Sequence, residues 1–325
     1  MAFAMRRTWL AVIIALGACA DVAFAQSAYP VKPVRIIVAT TAGGPYDDVA
    51  RAVGPKLTEV WGQIVIVDNR PGAANIIGAT VAAKSPPDGY TFFLANVASQ
   101  SINPALRKKL PYDPQRDFAP VCLMLSSPMV LVVHPSMPVK SVSEMVKVAT
   151  LKPGGLNYAS AGVGNLQHLA MAFLQTLAKI NMHHIPYKGF APASVDLVAG
   201  QVDLMFANVV GVLPHVKSKR TRTIAISSAK GSSLLPGVPS VAATYPEFDV
   251  TTWMGLLAPA GTPRDIINKV NADLIRVLQL PEMRERFAQQ GAEVLAGSPE
   301  QLAETVRRDA VRYAKVIKEI SLTAD

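Results

Sequence analysis

The stretch VRIIVATTAGGPYDDVAR, residues 34–51, sets the reading of the whole chain. It opens with a mainly apolar run of strand length. Two glycines and a proline, Gly43-Gly44-Pro45, then make a corner. Beyond it Val49, Val53, Leu57 and Val60 recur at helical spacing. The stretch is therefore a strand, a bare corner and a helix. Glycine permits backbone conformations that other residues avoid, and it leaves nothing to hold a ligand away. Proline suits a first helical turn, whose N–H groups lack partners and attract anions. The corner admits two readings, an anion seat or a plain tight connection. Asp47 and Asp48 also admit two. They are paired acids, or negative charge that steadies the positive end of the helix.

Outward from this unit the same alternation continues. VRIIVA, QIVIVDN, YTFFLAN, MVLVVHP, LNYASA, MHHIPY, VDLMFAN and TRTIAISS read as strands, with helical patterns between them. Their unbroken apolar character suits a buried parallel sheet, and repeated β-α units point to an open α/β sheet. Ser141-Val142-Ser143-Glu144 spells a capping box. Leu166, Leu169, Phe173, Leu174 and Leu177 form the core stripe of another helix. The series runs once over 34–124 and again over about 127–247. A stretch with little helical character, 235–262, contains VTTWMGLLAPAG. Three helices without strands of their own close the chain, opened by Thr262-Pro263, by Pro281 and by Ser298-Pro299-Glu300-Gln301. The expected organisation is a leader, 1–25, then a discontinuous first domain, 26–125 plus 248–325, around a second domain, 126–247. Paired crossings near 125 and 248 would make a double hinge with a cleft.

Arg6-Arg7, the apolar run Trp9 to Ala20 and Ala23-Phe24-Ala25 read as a secretory signal peptide cleaved after Ala25. Leu16-Gly17-Ala18-Cys19 offers a competing lipoprotein box. No later segment is long and apolar enough to cross a bilayer. The net charge of +9 falls by one when residues 1–25, with Arg6, Arg7 and Asp21, are removed. Cys122 is then the sole thiol, so no internal disulfide forms. VCLML makes it a buried small hydrophobe. Basic residues are scattered apart from Arg107-Lys108-Lys109 and Lys217–Arg222, with no interleaved aromatics or nucleic-acid motif.

Catalytic signatures are missing: no G-x-S-x-G, no H-E-x-x-H and no phosphate-loop motif. Gly162-Val163-Gly164 starts a dinucleotide fingerprint, but Gln167 stands where a third glycine belongs. His183 and His184 are strand neighbours pointing to opposite faces, so a shared metal is disfavoured. His168 reads as an ordinary core or surface histidine. What recurs is the corner. SAGVGN, residues 160–165, and YKGFAPA, residues 187–193, again join strand to helix through small residues. In open α/β sheets ligands bind beyond the carboxyl ends of the strands, and all three corners lie there.

Taken together these stretches resemble the periplasmic solute-binding proteins of the tripartite tricarboxylate transporters, also called Bug proteins. The resemblance spans Tyr29 to the C-terminus. It is carried by YPVKPVRIIV, AGGPYDDVAR, DNRPGA, IGA, PDGYT, INPAL, LPYDPQRDFAPV, LNYASAG, HIPYKG, GQVDLMFAN and GLLAPAGTP. It implies a type II periplasmic-binding-protein fold of two α/β domains that close on a ligand. It also implies a small carboxylate held largely by backbone N–H groups and handed to membrane permease subunits. The protein would then be a periplasmic monomer, with no cofactor, no metal and no enzymatic activity. A sensing module for a receptor kinase and an enzyme on the same fold are the alternatives. Carried over by position, the ligand residues are Gly43, Gly44, Asp47 and Ser99 in the first domain. In the second they are Ser160, Ala161, Gly162, Gly164, Asn165, Tyr187, Lys188, Gly189, Ala207 and Asn208. Three stretches depart from the family pattern: Thr40-Thr41-Ala42, Val163-Gly164-Asn165 and Phe206-Ala207-Asn208. The last lacks an aspartate that would meet an amine or hydroxyl.

Overall fold

The computed structural model describes residues 29–187, 189–232 and 235–322. The leader with Cys19 and Ala25 lies outside the described residues, and so does Lys188. In chain order the elements are β1 (Val34–Val38), α1 (Pro45–Trp61), β2 (Val65–Asn69), α2 (Ile76–Ala83) and β3 (Thr91–Asn96). A π-turn, Ala98–Ile102, leads into α3 (Asn103–Leu106) and the long β4 (Phe118–Val133). Then come α4 (Val142–Leu151), β5 (Asn157–Ser160), α5 (Leu166–Ala178), β6 (His183–Pro186), α6 (Phe190–Val198), β7 (Leu204–Asn208), α7 (Val209–Lys217) and β8 (Arg222–Ile226). The chain closes with β9 (Thr251–Pro259), α8 (Arg264–Leu278), α9 (Pro281–Gln289), β10 (Glu293–Gly297) and α10 (Pro299–Glu319).

The strands line up as β2-β1-β3-β9-β4-β7-β5-β6, with β10 and β8 also on β4. Within each half the pairing is parallel: β1 with β2 and β3, and β5 with β6 and β7. At the centre β9 and β4 run antiparallel to their neighbours, so the sheet is mixed rather than wholly parallel. The inner strands are mostly apolar because both of their faces are covered; all six residues of β3 are buried. One half buries Ile36, Val53, Leu57, Phe92 and Leu274 on one face and Ile37, Phe93, Trp253 and Leu302 on the other. The second half is built likewise around Leu131, Phe206 and Phe248, and around Val130, Met205 and Leu197.

The caps follow the sequence signals, with small differences. Ser298 and Gln301 form a reciprocal capping box at α10. Ser141 caps α4, but Glu144 takes the N–H of Lys140 rather than that of Ser141. Of the α1 stripe, Val49, Val53 and Leu57 are buried, whereas Val60 is exposed. Two expectations fail. The segment 118–133 is one continuous 16-residue strand that runs across the expected crossing near 125, rather than a strand that starts after it. Its apolar run is broken by Pro120 and Ser126-Ser127-Pro128, and Pro120 and Leu123 sit at register shifts against β9, which strands tolerate. The tail also carries a strand, β10, paired antiparallel with β4. Finally, α10 packs on both halves: Leu302 joins a first-half core layer and Val316 a second-half one.

Candidate ligand site between the two halves

The strand registers turn the carboxyl ends of the strands in the two halves towards each other. Asn96, ending β3, pairs with Met254 of β9, which pairs with Leu125 of β4. Asn208, ending β7, pairs with Met129 of β4. β3 runs in the direction of β4 and β7 runs against it. Their carboxyl ends therefore point at each other, with only Ser126, Ser127 and Pro128 between their levels. At strand rise this gap is roughly 13 Å. Thr251, Thr252 and Trp253 of β9 cross the same gap beside β4.

The first corner is held by one carboxylate. Asp47 accepts from the Gly43 N–H at 2.8 Å, from Asn69 Nδ2 at 2.9 Å and from Arg51 Nε at 2.8 Å. The Arg51 hydrogen bond is the largest influence holding its carboxyl below the usual carboxylate range, against the opposing effect of burial. Asn69 Nδ2 also donates to the Thr40 carbonyl. Gly43 has φ +80°, which glycine alone adopts freely, while Gly44 caps the helix at φ −90°. Tyr46 Oη lies 3.4 Å from Thr252 Oγ1, which ties this corner to the central strands. Ser99 is buried. Its hydroxyl donates to the Asn96 carbonyl and accepts the Asn96 N–H, and Tyr112 donates to its carbonyl at 2.6 Å.

The second and third corners form one unit. Tyr187 N–H donates to the Ser160 carbonyl, and Gly189 N–H to that of Ala161. Ser160 is buried, with its hydroxyl 2.7 Å from His184 Nε2 and bonded to both the N–H and the carbonyl of Gly162. Ala161 N–H goes to Gln167 Oε1 and Gly164 N–H to His168 Nδ1. Asn165 caps α5 by accepting from His168 N–H. Tyr187 Oη donates to Asp196 at 2.6 Å, and burial first, with that carboxylate second, pushes its phenol up to about 12. Ala207 is fully buried with Val130, Ala159 and Ala193, and Asn208 is exposed at the start of α7.

Many corner N–H groups that the sequence offers to a ligand are thus already taken by the chain: those of Gly43, Ala161, Gly162, Gly164 and Gly189. Among the described residues, no acceptor meets the N–H of Gly44, Tyr46 or Asp47, nor that of Val163, Leu166 or Gln167. These two sets start α1 and α5, on opposite sides of the gap. Of the residues that shape the corners, Asn69 has no role in the sequence reading, and His168 and His184 appear there only as structural histidines. Gln167 showed there only as the residue that spoils a glycine fingerprint. Among the described residues no group of His, Cys, Asp and Glu could hold a metal ion.

Residues 49–322 match the sequence model of the tripartite tricarboxylate transporter family receptor. BugT of Bordetella pertussis is 36% identical over 316 residues, covering 95% of this chain and 96% of that protein. A solved R. palustris protein with adipate is 31% identical at a TM-score of 0.77, covering 91% of this chain and 99% of that one. MatC from Rhodopseudomonas palustris with bound malate is 32% identical at a TM-score of 0.73, covering 89% and 100%.

Proposed function

The chain belongs to the tripartite tricarboxylate transporter receptor family, and from that premise we propose that it captures a small mono- or dicarboxylate in the gap between its halves. It delivers the acid to membrane permease subunits of a tripartite transporter. The observation that carries this reading is the opposition, across the β4–β9 strip, of two sets of N–H groups without an acceptor among the described residues, those of Gly44, Tyr46 and Asp47 and those of Val163, Leu166 and Gln167. The remaining corner residues, Gly43, Ser99, Ser160 to Asn165, Tyr187 and Gly189, hold those groups in place. Each helix start favours an anion by roughly 0.3–2 kcal/mol. Charge-assisted hydrogen bonds add about 1.5–3 kcal/mol each, less the cost of association. Their sum supports micromolar binding, about −8 kcal/mol.

The two halves, 26–125 with 248–325 and 126–247, move as bodies about β4 and β9. The work is done in the periplasm by a monomer released from its leader at Ala25. Mass spectrometry of the exported protein tests the leader: Gln26, or pyroglutamate from it, is the expected first residue, and a lipid on Cys19 contradicts it. Thermal shift over a panel of organic acids, with adipate and malate included, tests the ligand. A binder of the folded state raises Tm. No shift and no calorimetric heat with any carboxylate would remove the reading.

A further inference from the structure

The second corner rests on a stack of rings. Tyr158 and His184 are direct neighbours across β5 and β6, so their side chains share a face. Their rings are 4.8 Å apart. His168 descends from α5 and stacks on His184 at 4.0 Å, with the planes 7° apart. Each imidazole then holds one side of the corner. His184 Nε2 bonds the Ser160 hydroxyl, and His168 Nδ1 accepts the Gly164 N–H at 3.1 Å. The backbone N–H of His168 meanwhile goes to Asn165 Oδ1 at 2.9 Å. This exchange resembles a capping box, in which the third helical residue reaches back to the chain ahead of the helix. Glutamate or glutamine ordinarily fills that role. Here an imidazole does.

The substitution matters because only an unprotonated Nδ1 can accept. Resting on the carboxylate-capture reading, we propose that His168 is a positioning residue for ligand capture. Its bare Nδ1 holds Gly164, and with it the second corner, in the shape that takes the anion, and protonation releases the corner.

The surroundings support the neutral ring. His168 is only 8% exposed, and burial lowers its basicity. The positive end of α5 lies beside it, which disfavours a cation further. The titratable groups facing it are His184 of β6 and Tyr158 of β5, whose ring centroid is 6.4 Å away. His183 acts on His184 from the neighbouring position. Across the gap the corner meets carbon, since a Cβ on Gly164 would touch Leu106 and Leu322. Among the described residues no carboxylate pairs with either imidazole. Among the described residues nothing compensates a charge on His168, and a charge on both stacked rings is self-repelling.

The test uses the full mature chain. In the free wild-type protein, glycine-labelled NMR follows the Gly164 amide while ring signals follow His168. The expected result is that the amide loses its hydrogen-bond shift and exchange protection with the midpoint of the His168 ring, below about pH 6.5. A Gly164 amide that ignores the His168 titration overturns the proposal. H168Q keeps an acceptor that does not titrate. Calorimetry with adipate or malate, whichever the panel ranks first, then compares the two proteins from about pH 7.5 to 5. The acid's own ionisation affects both equally. Wild-type affinity is expected to fall relative to H168Q by about tenfold per unit of pH below the His168 midpoint. Parallel pH profiles overturn the proposal. Absence of binding at every pH in both proteins would remove the carboxylate-capture reading instead, and the NMR result would tell that outcome apart.

Discussion

Tyr46 and Thr252 stand far apart in the chain, yet their hydroxyls lie 3.4 Å from each other. Tyr46 belongs to the first turn of α1, next to the glycine corner. Thr252 belongs to β9 and pairs with Ser127 of β4. The first corner is thereby fastened to the strip that joins the halves. The second corner has no such hydrogen bond to the strip among the described residues, and a Cβ on its Gly164 would meet Leu106 and Leu322. Closure would then carry the second corner towards a first corner that is already anchored.

That asymmetry makes closure visible in solution. Small-angle scattering of the free protein and of the protein saturated with its best acid should give a smaller radius of gyration when bound. Identical radii from an open free form would argue that ligand does not move the halves.

Gly44 separates room from strain. Its φ of −90° suits any residue, and a Cβ there would meet only the Thr41 carbonyl, at 3.5 Å. G44V should therefore leave Tm almost unchanged. It should weaken the acid at least about tenfold, or 1.4 kcal/mol, because the branched side chain stands where the anion approaches. A folded G44V of unchanged affinity in calorimetry would reduce the corner to a plain turn.

Asp47 is the brace of that corner. D47N puts an amide where three donors converge, so at least one of them is left facing a donor. Chemical denaturation should show a loss of about 1–3 kcal/mol. The carboxyl is held below the usual range in the folded chain. Its stabilisation is complete above the unfolded value near pH 4 and fades as pH falls through the lowered one. D47N should flatten that acid limb, which a Tm profile from about pH 5 to 2 would record.

His184 acts in the same pH direction at a higher range. Burial first, then His168 and His183, pushes its imidazole down to about 4. The ring is neutral when folded and gains a proton more readily when unfolded. Stability is thus full above about pH 6.5 and declines as pH falls towards 4. A Tm that stays level over that interval would contradict the buried, uncharged stack.

Cys122 should be silent. It is fully buried, and burial pushes its thiol up to about 12. Thiol reagents should label it at pH 8 only in denaturant.

Much of the fold was legible from local signals. Apolar runs bounded by glycine and proline located β1 to β3 and β5 to β8. Pro281 and Ser298 with Gln301 marked helix starts where the chain has them. β4 was misjudged because its continuity comes from pairing with β9, whose partners lie more than a hundred positions away. β10 was missed because its partners are on β4 and only Gly297 in it is buried. In the candidate site the glycines were readable, but their occupancy was not. Whether a corner N–H is free depends on Asn69, Gln167 and His168, and nothing in the corner itself announces their reach. Ala207 looks equivalent to Asn208 by position, yet both faces of β7 are covered, so Ala207 lies in the core and only Asn208, at the strand end, is exposed.

β9 sits between β3 and β4, pairing Asn96 with Met254 and Leu125 with Met254 on its two sides. Its place fixes an order of assembly. Strands β1 to β3 lack their central neighbour until the chain beyond residue 251 has arrived, while β5 to β8 find theirs within their own stretch. Contacts of such long sequence separation form slowly. Until they do, β3 presents an unsatisfied apolar edge, the kind of surface on which chains aggregate. The middle of the polypeptide accordingly can pair its strands early, and the first segment made waits for β9 to complete its sheet.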